Sequence, residues 1–395
     1  MLAGLPISAV LWFYALRRSG LHVLLTTDTV TPCWTHTREL VTGLATRGVS
    51  VTLVSFGEIP LPDQVSWIGF LEGVTYIPTA FCVEWMQAAE AQYPESAAFL
   101  ESLVRDLKPD LLQLGQFCYG DLPVTVPKVI SAHGDPVTRA TAIGRTGPRL
   151  TRAIRWFKER AQRGVAAADA VVATTEWMLS AVRESYAAPR QEAVIGPGRN
   201  AMFYNSRAEK EELVLTVGRM QDTAQQITLL TGLAQPLPVC IVTSGTMAPV
   251  RKNPIRADVR TTLGRAPVAI RGPQSEGQMR SLFSRASIYA ATSSYEPLGL
   301  AAVEAALSRC AILANDVPSH REMWGEAAYY FNTNDAESLH HALRRLHDDP
   351  TLREGYAERA YLRARSCFTS KKMTDAYFGL YRSLVSPAPA SELAA

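Results

Sequence analysis

From Leu21 onward the chain alternates short, wholly apolar runs with longer stretches in which apolar residues recur at helical spacing. The runs Leu21–Leu25, Val49–Val54, Leu111–Leu114, Val129–Ala132 and Ala170–Ala173 predict strands. They are apolar throughout rather than alternating, as expected of strands covered on both faces. Helical spacing between them predicts helices near Thr35–Thr46, Pro94–Leu107 and Arg149–Ala168. Strands separated by helices of this length form parallel βαβ units. The pattern pauses at 196–207, "GPGRNAMFYNSR", which is rich in turn formers and lacks periodicity. It then restarts with predicted strands Leu213–Val217, Pro238–Thr243, Val268–Arg271, Ile288–Ala291 and Ala311–Ala314, and helices near Glu276–Ser284 and Leu298–Leu307. Residues Ala336–Val385 read as nearly all helical. The chain is thus expected to be α/β, with two doubly wound domains and a hinge near 196–207. The default ligand site of such a chain is the cleft between the halves, at the carboxyl ends of the strands.

Composition narrows the class. A chain that is 47% hydrophobic and 19% charged has enough apolar residues for large cores and is not disordered. A net charge of +3 does not point to nucleic acid as a partner. No two of the cysteines form a CxxC pair, so no zinc ligand set is expected. Cys310, in an apolar run, reads as a buried free thiol, and we expect a reducing, cytoplasmic compartment. Residues 1–20 form an N-terminal extension whose apolar stretch, 1–16, precedes Arg17 and Arg18. A secretory signal would carry its charge first, a membrane span needs about 20 apolar residues, and Pro6 weakens a helix. A start codon too far upstream, a packed leader and an interfacial anchor all remain open. No G-x-G-x-x-G follows the first strand and no P-loop occurs, which argues against dinucleotide enzymes and P-loop NTPases.

The richest segment is "SSYEPLGLAAVEAALSRCAILAND", after the strand ending at Ala291. Pro297 suits the first helical position, and Gly299 lets another group approach the first turn closely. The amides and dipole of that helix end would suit a phosphate. Glu304 lies on an otherwise apolar helix and must find donors, either Arg309 or ligand hydroxyls. Glu296, eight residues earlier, is a cap or a ligand contact.

Two glutamates separated by seven residues, the first followed by P-L-G-L, resemble the E-x7-E signature of the retaining GT-B glycosyltransferases, the group 1 and family 4-like enzymes. The resemblance runs over residues 21–385. It is carried by "LLTTDTVTPCWTHTRELVTGLATRGVSVTLVSFG", "EWM" at Glu84–Met86, "SAHGD" at Ser131–Asp135, "AADAVVATTEWM" at Ala167–Met178, "LVLTVGRM" at Leu213–Met220 and "DVPSHREMWGEAAYYF" at Asp316–Phe331, in order. It implies a GT-B fold, two Rossmann-like domains facing a central cleft. The acceptor domain would be 21–200, joined by a C-terminal helix 372–388, and the donor domain 207–371. It further implies a nucleotide-sugar donor, by family frequency a UDP-sugar, and transfer of a hexose with retention and without a metal or other cofactor. Glu304 would bind the donor ribose and Glu296 the sugar hydroxyls. The backbone of Leu298, Gly299 and Leu300 and the side chain of Arg219 would hold the diphosphate. His133 would lie near the sugar and acceptor.

Two positions depart from the family pattern. Gln225 stands where a second cation, a lysine, is expected on the diphosphate. Thr31, Pro32 and Cys33, followed by Trp34, replace the glycines of the first loop, and Pro32 removes an amide donor. The alternative reading is therefore a non-catalytic GT-B binding or partner protein with a degenerate donor site. The acceptor is not named by the sequence: a saccharide, a small molecule and a lipid-linked sugar all fit. The basic stretch Arg145–Arg163 reads as a solvated helix face, or as a peripheral contact with an anionic membrane at the inner face.

Overall fold

A computed structural model describes residues 20–142, 151–233, 235–244, 259–263 and 266–385. The chain divides into two compact units. One runs to Ile195 and resumes at Thr374; the other is Gly196–Met373.

The first unit is built on seven strands, β1 (His22–Asp28), β2 (Ser50–Phe56), β3 (Val74–Pro78), β4 (Leu111–Leu114), β5 (Lys128–Ala132), β6 (Ala170–Ala173) and β7 (Glu192–Val194). They form one parallel sheet in the order β3-β2-β1-β4-β5-β6-β7. Its helices are α1 (Cys33–Ala45), α2 (Pro62–Val65), α3 (Ala89–Leu107), α4 (Pro136–Ala142), α5 (Arg152–Ala167) and α6 (Glu176–Ser185). Successive strand residues point to opposite faces, and here both faces are buried. Leu24, Val54, Leu112, Leu114, Ile130 and Val171 belong to a core with α3, α5 and α6, while α1 buries Leu40, Val41 and Leu44. The strand order reverses between β1 and β4.

The second unit carries β8 (Glu211–Arg219), β9 (Val239–Ser244), β10 (Val259–Leu263), β11 (Ala266–Arg271), β12 (Ala286–Ala291), β13 (Ala311–Asn315) and β14 (Tyr329–Phe331). The order is β10-β11-β9-β8-β12-β13-β14, parallel except for the antiparallel β10–β11 pair. The helices are α7 (Met220–Thr231), α8 (Glu276–Arg285), α9 (Leu300–Leu307), α10 (Pro318–Trp324), α11 (Ala336–Asp348), α12 (Pro350–Cys367) and α13 (Ser370–Val385). Val214, Ile288 and Leu313 face α11, and their neighbours Leu215, Tyr289 and Ile312 face α9 and α12. This strand order reverses between β8 and β12. A reversal of this kind opens a crevice outside the carboxyl ends of the two strands, where ligands of doubly wound sheets bind. The last helix, α13, passes out of this unit at Thr374 and completes the first.

Three expectations need adjusting. Pro297 does not start a helix; α9 begins at Leu300 behind Gly299, whose φ of +66° is a left-handed cap that suits glycine. The helix expected from Arg149 starts at Arg152, capped by Thr151. The short outer strands β3, β7, β10 and β14 were not expected: each is only three to five residues long, and β3 and β7 are partly exposed along their length.

The candidate functional sites

At the β8/β12 reversal of the second unit, the loop 292–299 brings Glu296 to the carboxyl edge of the sheet. Its Oε1 accepts the Gly299 amide at 2.9 Å, so this glutamate caps the turn leading into α9. Leu298, Gly299 and Leu300 are buried at the start of that helix. Arg219 ends β8, hydrogen-bonded in register with Ser244; its side chain lies outside the described residues. Gln225, one turn and a half into α7, donates its amide to Asn334 and accepts Ser294 Oγ at 3.4 Å. The position expected to hold a lysine is thus at the strand edge, with its amide engaged by protein. Asn334 and Asn315 interlock beside it: the Asn334 amide donates to Asn315 Oδ1 at 3.2 Å, and Asn315 Nδ2 donates to the carbonyls of Thr292 and Ser293. His320 Nδ1 bonds the Asn315 carbonyl at 2.9 Å, and its Nε2 is buried with no hydrogen-bond partner.

Glu304, one turn inside α9, is not held by Arg309. Arg309 pairs with Glu358 instead. The partner of Glu304 is Arg199, whose Nη2 lies 2.7 Å from Oε1. The Arg199 side chain is 4% exposed and that of Glu304 14%. Burial raises the Glu304 carboxyl; Arg199 and the Tyr204 hydroxyl oppose it. Arg199 was missed because it lies far from Glu304 in sequence, inside a stretch that reads only as a hinge.

In the first unit a recess opens at the carboxyl ends of β1, β4 and β5, lined by Thr27, Cys33, His36, Thr37, Gln113, Ser131 and His133, among others. His133 follows β5, and its ring meets that of His36 at 4.4 Å. Its Nε2 is buried without a hydrogen-bond partner, and burial pushes the imidazole down to about 4, so it is neutral near pH 7. The turn that carries it is fixed by Asp135, which accepts Val137 N, Thr138 N, Thr138 Oγ1 and Tyr186 Oη at 2.6–3.0 Å. Beneath the recess, Tyr377 and Tyr381 of α13 bond Ser131 (3.1 Å) and Gln113 (3.0 Å).

The loop that lacks the family's glycines is organised by side chains. Asp28 Oδ1 accepts the amides of Val30 (3.0 Å) and Thr31 (2.6 Å), and its Oδ2 accepts Thr31 Oγ1 (2.8 Å). Pro32 is the N-cap of α1, so its missing amide costs no helix hydrogen bond, and Cys33 enters the recess. Trp34 packs against Trp67 and Tyr76.

Elsewhere in this unit Glu84 is 6% exposed, with Oε2 accepting Cys118 N at 2.8 Å. Its carboxyl is pushed up to about 7, chiefly by burial, against the amides of Cys118 and Phe117. A folded value above the unfolded one means stability that is present below about pH 4.5 and lost as the pH rises to about 7. His133, with its lowered value, acts in the opposite sense, losing stability as the pH falls from 6.5 to about 4. Comparison of the wild type with Glu84→Gln cancels the histidine: the stability of Glu84→Gln relative to wild type should rise between pH 4.5 and 7 and then level off, measured as urea midpoints.

The basic helix α5 is partly tied to its own unit. Arg152 bonds both carboxylate oxygens of Glu90 (3.0 and 2.9 Å), and Arg160 bonds Asp121 at 2.7 Å while lying over the Tyr93 ring. Arg145, Arg149 and the N-terminal stretch 1–19 lie outside the described residues. Among the described residues no helix is long and apolar enough to cross a membrane, and no group of three or more His, Cys, Asp or Glu is placed to hold a metal ion. None of the six cysteines, all among the described residues, forms a disulfide, and Cys310 is buried.

Two parallel doubly wound units, each with a polar site where its strand order reverses, define the class, and comparison with known proteins agrees. Residues 34–201 match the family described as Glycosyltransferase Family 4, and residues 199–363 the family described as Glycosyl transferases group 1. The fold is shared, at 16% identity and a TM-score of 0.72, with sucrose-phosphate synthase from Thermosynechococcus elongatus, over 92% of this chain and 99% of that one. HepE of Anabaena, solved with UDP-glucose, is similar at 13% identity and a TM-score of 0.67, over 92% of this chain and 100% of that one. The lipopolysaccharide core biosynthesis mannosyltransferase LpcC of Rhizobium leguminosarum bv. viciae is 30% identical over 105 residues, which is 26% of this chain and 30% of that protein. The chain belongs to the group 1 and family 4 glycosyltransferases and has their GT-B fold.

Proposed function

We propose that the protein transfers a hexose from a nucleotide-sugar, a UDP-sugar in the first instance, to a hydroxyl acceptor with retention of configuration. The observation that carries this reading is the placement of Glu296 at the β8/β12 reversal with Glu304 one turn inside the adjoining helix. Glu304 would accept hydrogen bonds from the two ribose hydroxyls and Glu296 from the sugar. The diphosphate would meet the first turn of α9, where backbone amides and the helix dipole favour an anion, and Arg219 at the end of β8. Charge grows on that diphosphate as the glycosidic bond breaks, so fixed donors aimed at it lower the barrier. The reading gives this work to Arg219 and the amides rather than to a metal ion. In the first unit, the neutral His133 Nε2, buried and unpaired, would bond an acceptor hydroxyl. The UDP-glucose complex of HepE supports a UDP-sugar, and the LpcC similarity supports a glycan acceptor, free or lipid-linked.

Calorimetric titration of UDP, GDP and ADP tests this. Micromolar binding of one of them, weakened at least about tenfold in Glu304→Gln, is expected. A folded protein that binds none would be a non-catalytic family member, a reading favoured by the engagement of Gln225 with Asn334 and Ser294. For the same reason Gln225→Lys should tighten nucleoside diphosphate binding by about tenfold, as one charge-assisted hydrogen bond of roughly 1.5–3 kcal/mol replaces a neutral amide.

A further inference from the structure

Glu304 faces a conflict that the proposed function makes sharp. To accept two ribose hydroxyls strongly it must be a carboxylate, yet its helix is apolar and burial favours the neutral acid. Arg199 answers this. Its Nη2 is 2.7 Å from Glu304 Oε1, and its Nε and Nη2 also reach Tyr204 Oη at 3.0 and 2.7 Å. The arginine is itself locked. Its amide donates to the Phe368 carbonyl at 2.9 Å, its carbonyl accepts Ser370 N at 3.2 Å, and it forms a parallel bridge with Thr369. Gly198 before it leaves no room for a side chain, since a Cβ would sit 2.8 Å from the Thr369 carbonyl oxygen. The guanidinium therefore reaches Glu304 from a fixed backbone, while 14% of the glutamate side chain stays open to solvent.

We infer that Arg199 is a positioning residue for donor recognition, holding Glu304 ionised and oriented so that it reads the vicinal hydroxyls of a nucleotide ribose. This rests on the reading that Glu304 binds the donor ribose. The other groups that act on Glu304 are the Tyr204 hydroxyl and Glu276 at the start of α8, which pairs with Arg280 at 3.1 Å. Tyr289 of β12 feels both Glu304 and Glu296. Arg309, next in sequence after α9, and Glu358 of α12 satisfy one another. Arg199 is thus the cation paired with this carboxylate.

The test is the affinity for UDP, GDP and ADP and for the 2′,3′-dideoxy form of whichever binds, measured from pH 6 to pH 9. Wild type should prefer the ribonucleotide by about tenfold or more, one charge-assisted hydrogen bond being enough for that. In Arg199→Met the carboxyl should neutralise, so the preference is lost at pH 6 and returns toward pH 9. The pH at which affinity falls should move up by about one unit or more, the usual effect of removing an adjacent cation. Arg199→Lys should keep most of the wild-type profile. Tyr204→Phe, a milder change, should shift the profile in the same direction and serves if Arg199→Met does not fold. A purely structural ion pair would lower the melting temperature of these variants and leave both the preference and the profile unchanged. That result, together with loss of the preference in Glu304→Gln, overturns the inference and leaves the proposed function standing. Failure of all three nucleotides to bind wild type, or an unaltered preference in Glu304→Gln, overturns the ribose reading and this inference with it.

Discussion

Glu304→Ala is expected to lose at least about a hundredfold in nucleoside diphosphate affinity, and about 3–5 kcal/mol of stability in the unit that carries it. The affinity term follows from two hydrogen bonds to a charged acceptor at roughly 1.5–3 kcal/mol each, of which about 2.7 kcal/mol suffices for a hundredfold. The stability term has a different origin. Alanine would leave the Arg199 guanidinium, 4% exposed, without its counter-charge, and breaking one side of a buried pair costs far more than the pair contributes. Tyr204 would remain as a neutral partner, which keeps the expected loss at the lower end of that range. Urea denaturation and calorimetry separate the two effects. Glu304→Gln preserves the side-chain volume and a hydrogen bond to Arg199, so it should lose affinity with a smaller loss of stability. Equal stability of Glu304→Ala and wild type would show that water reaches Arg199.

Gly164→Ala is expected to cost about 3 kcal/mol or more, or on the order of 10 °C in the melting of the first unit. Gly164 lies on α5, where it faces the turn Phe117–Tyr119 that follows β4. A Cβ there would stand 1.8 Å from the Phe117 carbonyl oxygen and 3.3 Å from the Gly120 amide nitrogen, both backbone atoms that cannot step aside. A Cβ at Gly120 would in turn stand 2.3 Å from the Gly164 carbonyl oxygen, so two glycines let a helix backbone rest directly on a turn. That turn supplies the amides that hold Glu84, and relaxing the clash would displace the end of β4, next to the recess. Gly379→Ala on α13 is the control: no atom lies within 4 Å of its Cβ, and alanine should stabilise the helix by about 0.5–1 kcal/mol. Thermal melts of the two variants should move in opposite directions.

The parallel architecture was legible because buried strands write themselves as continuous apolar runs. Leu111–Leu114 and Ala170–Ala173 have the bounds their apolar letters suggest. Edge strands escaped for the converse reason: Val74–Pro78 is half exposed along its length and mixes Thr and Tyr with its apolar residues. Helix α7, "MQDTAQQITLLT", lacks a clear apolar stripe and was not among the expected helices. In the candidate donor site Glu304 could be singled out, because a carboxylate in an apolar helix is costly and conspicuous, and Glu296 through its spacing from it. Their partners could not. Arg199 reaches Glu304, and Asn334 reaches Gln225, across more than a hundred residues of sequence, and Asn315 sits at the end of an apolar strand like any strand-ending polar residue. In the first unit His133 was legible only through resemblance. Its neighbours Ser131 and Gln113 look like interruptions of apolar runs until Tyr377 and Tyr381 are placed against them.

Those two tyrosines set an order of events during synthesis. They belong to the first unit, yet they are translated only after all of Gly196–Met373. At about 5–20 residues per second, the nascent first unit waits on the order of 10–35 s with Gln113 and Ser131 bonded to each other but still without their tyrosine partners. Throughout that interval a chaperone or a protease meets an opened flank on the half of the molecule that was made first. A premature stop late in Gly196–Met373 would therefore leave incomplete a unit whose own translation had begun far upstream.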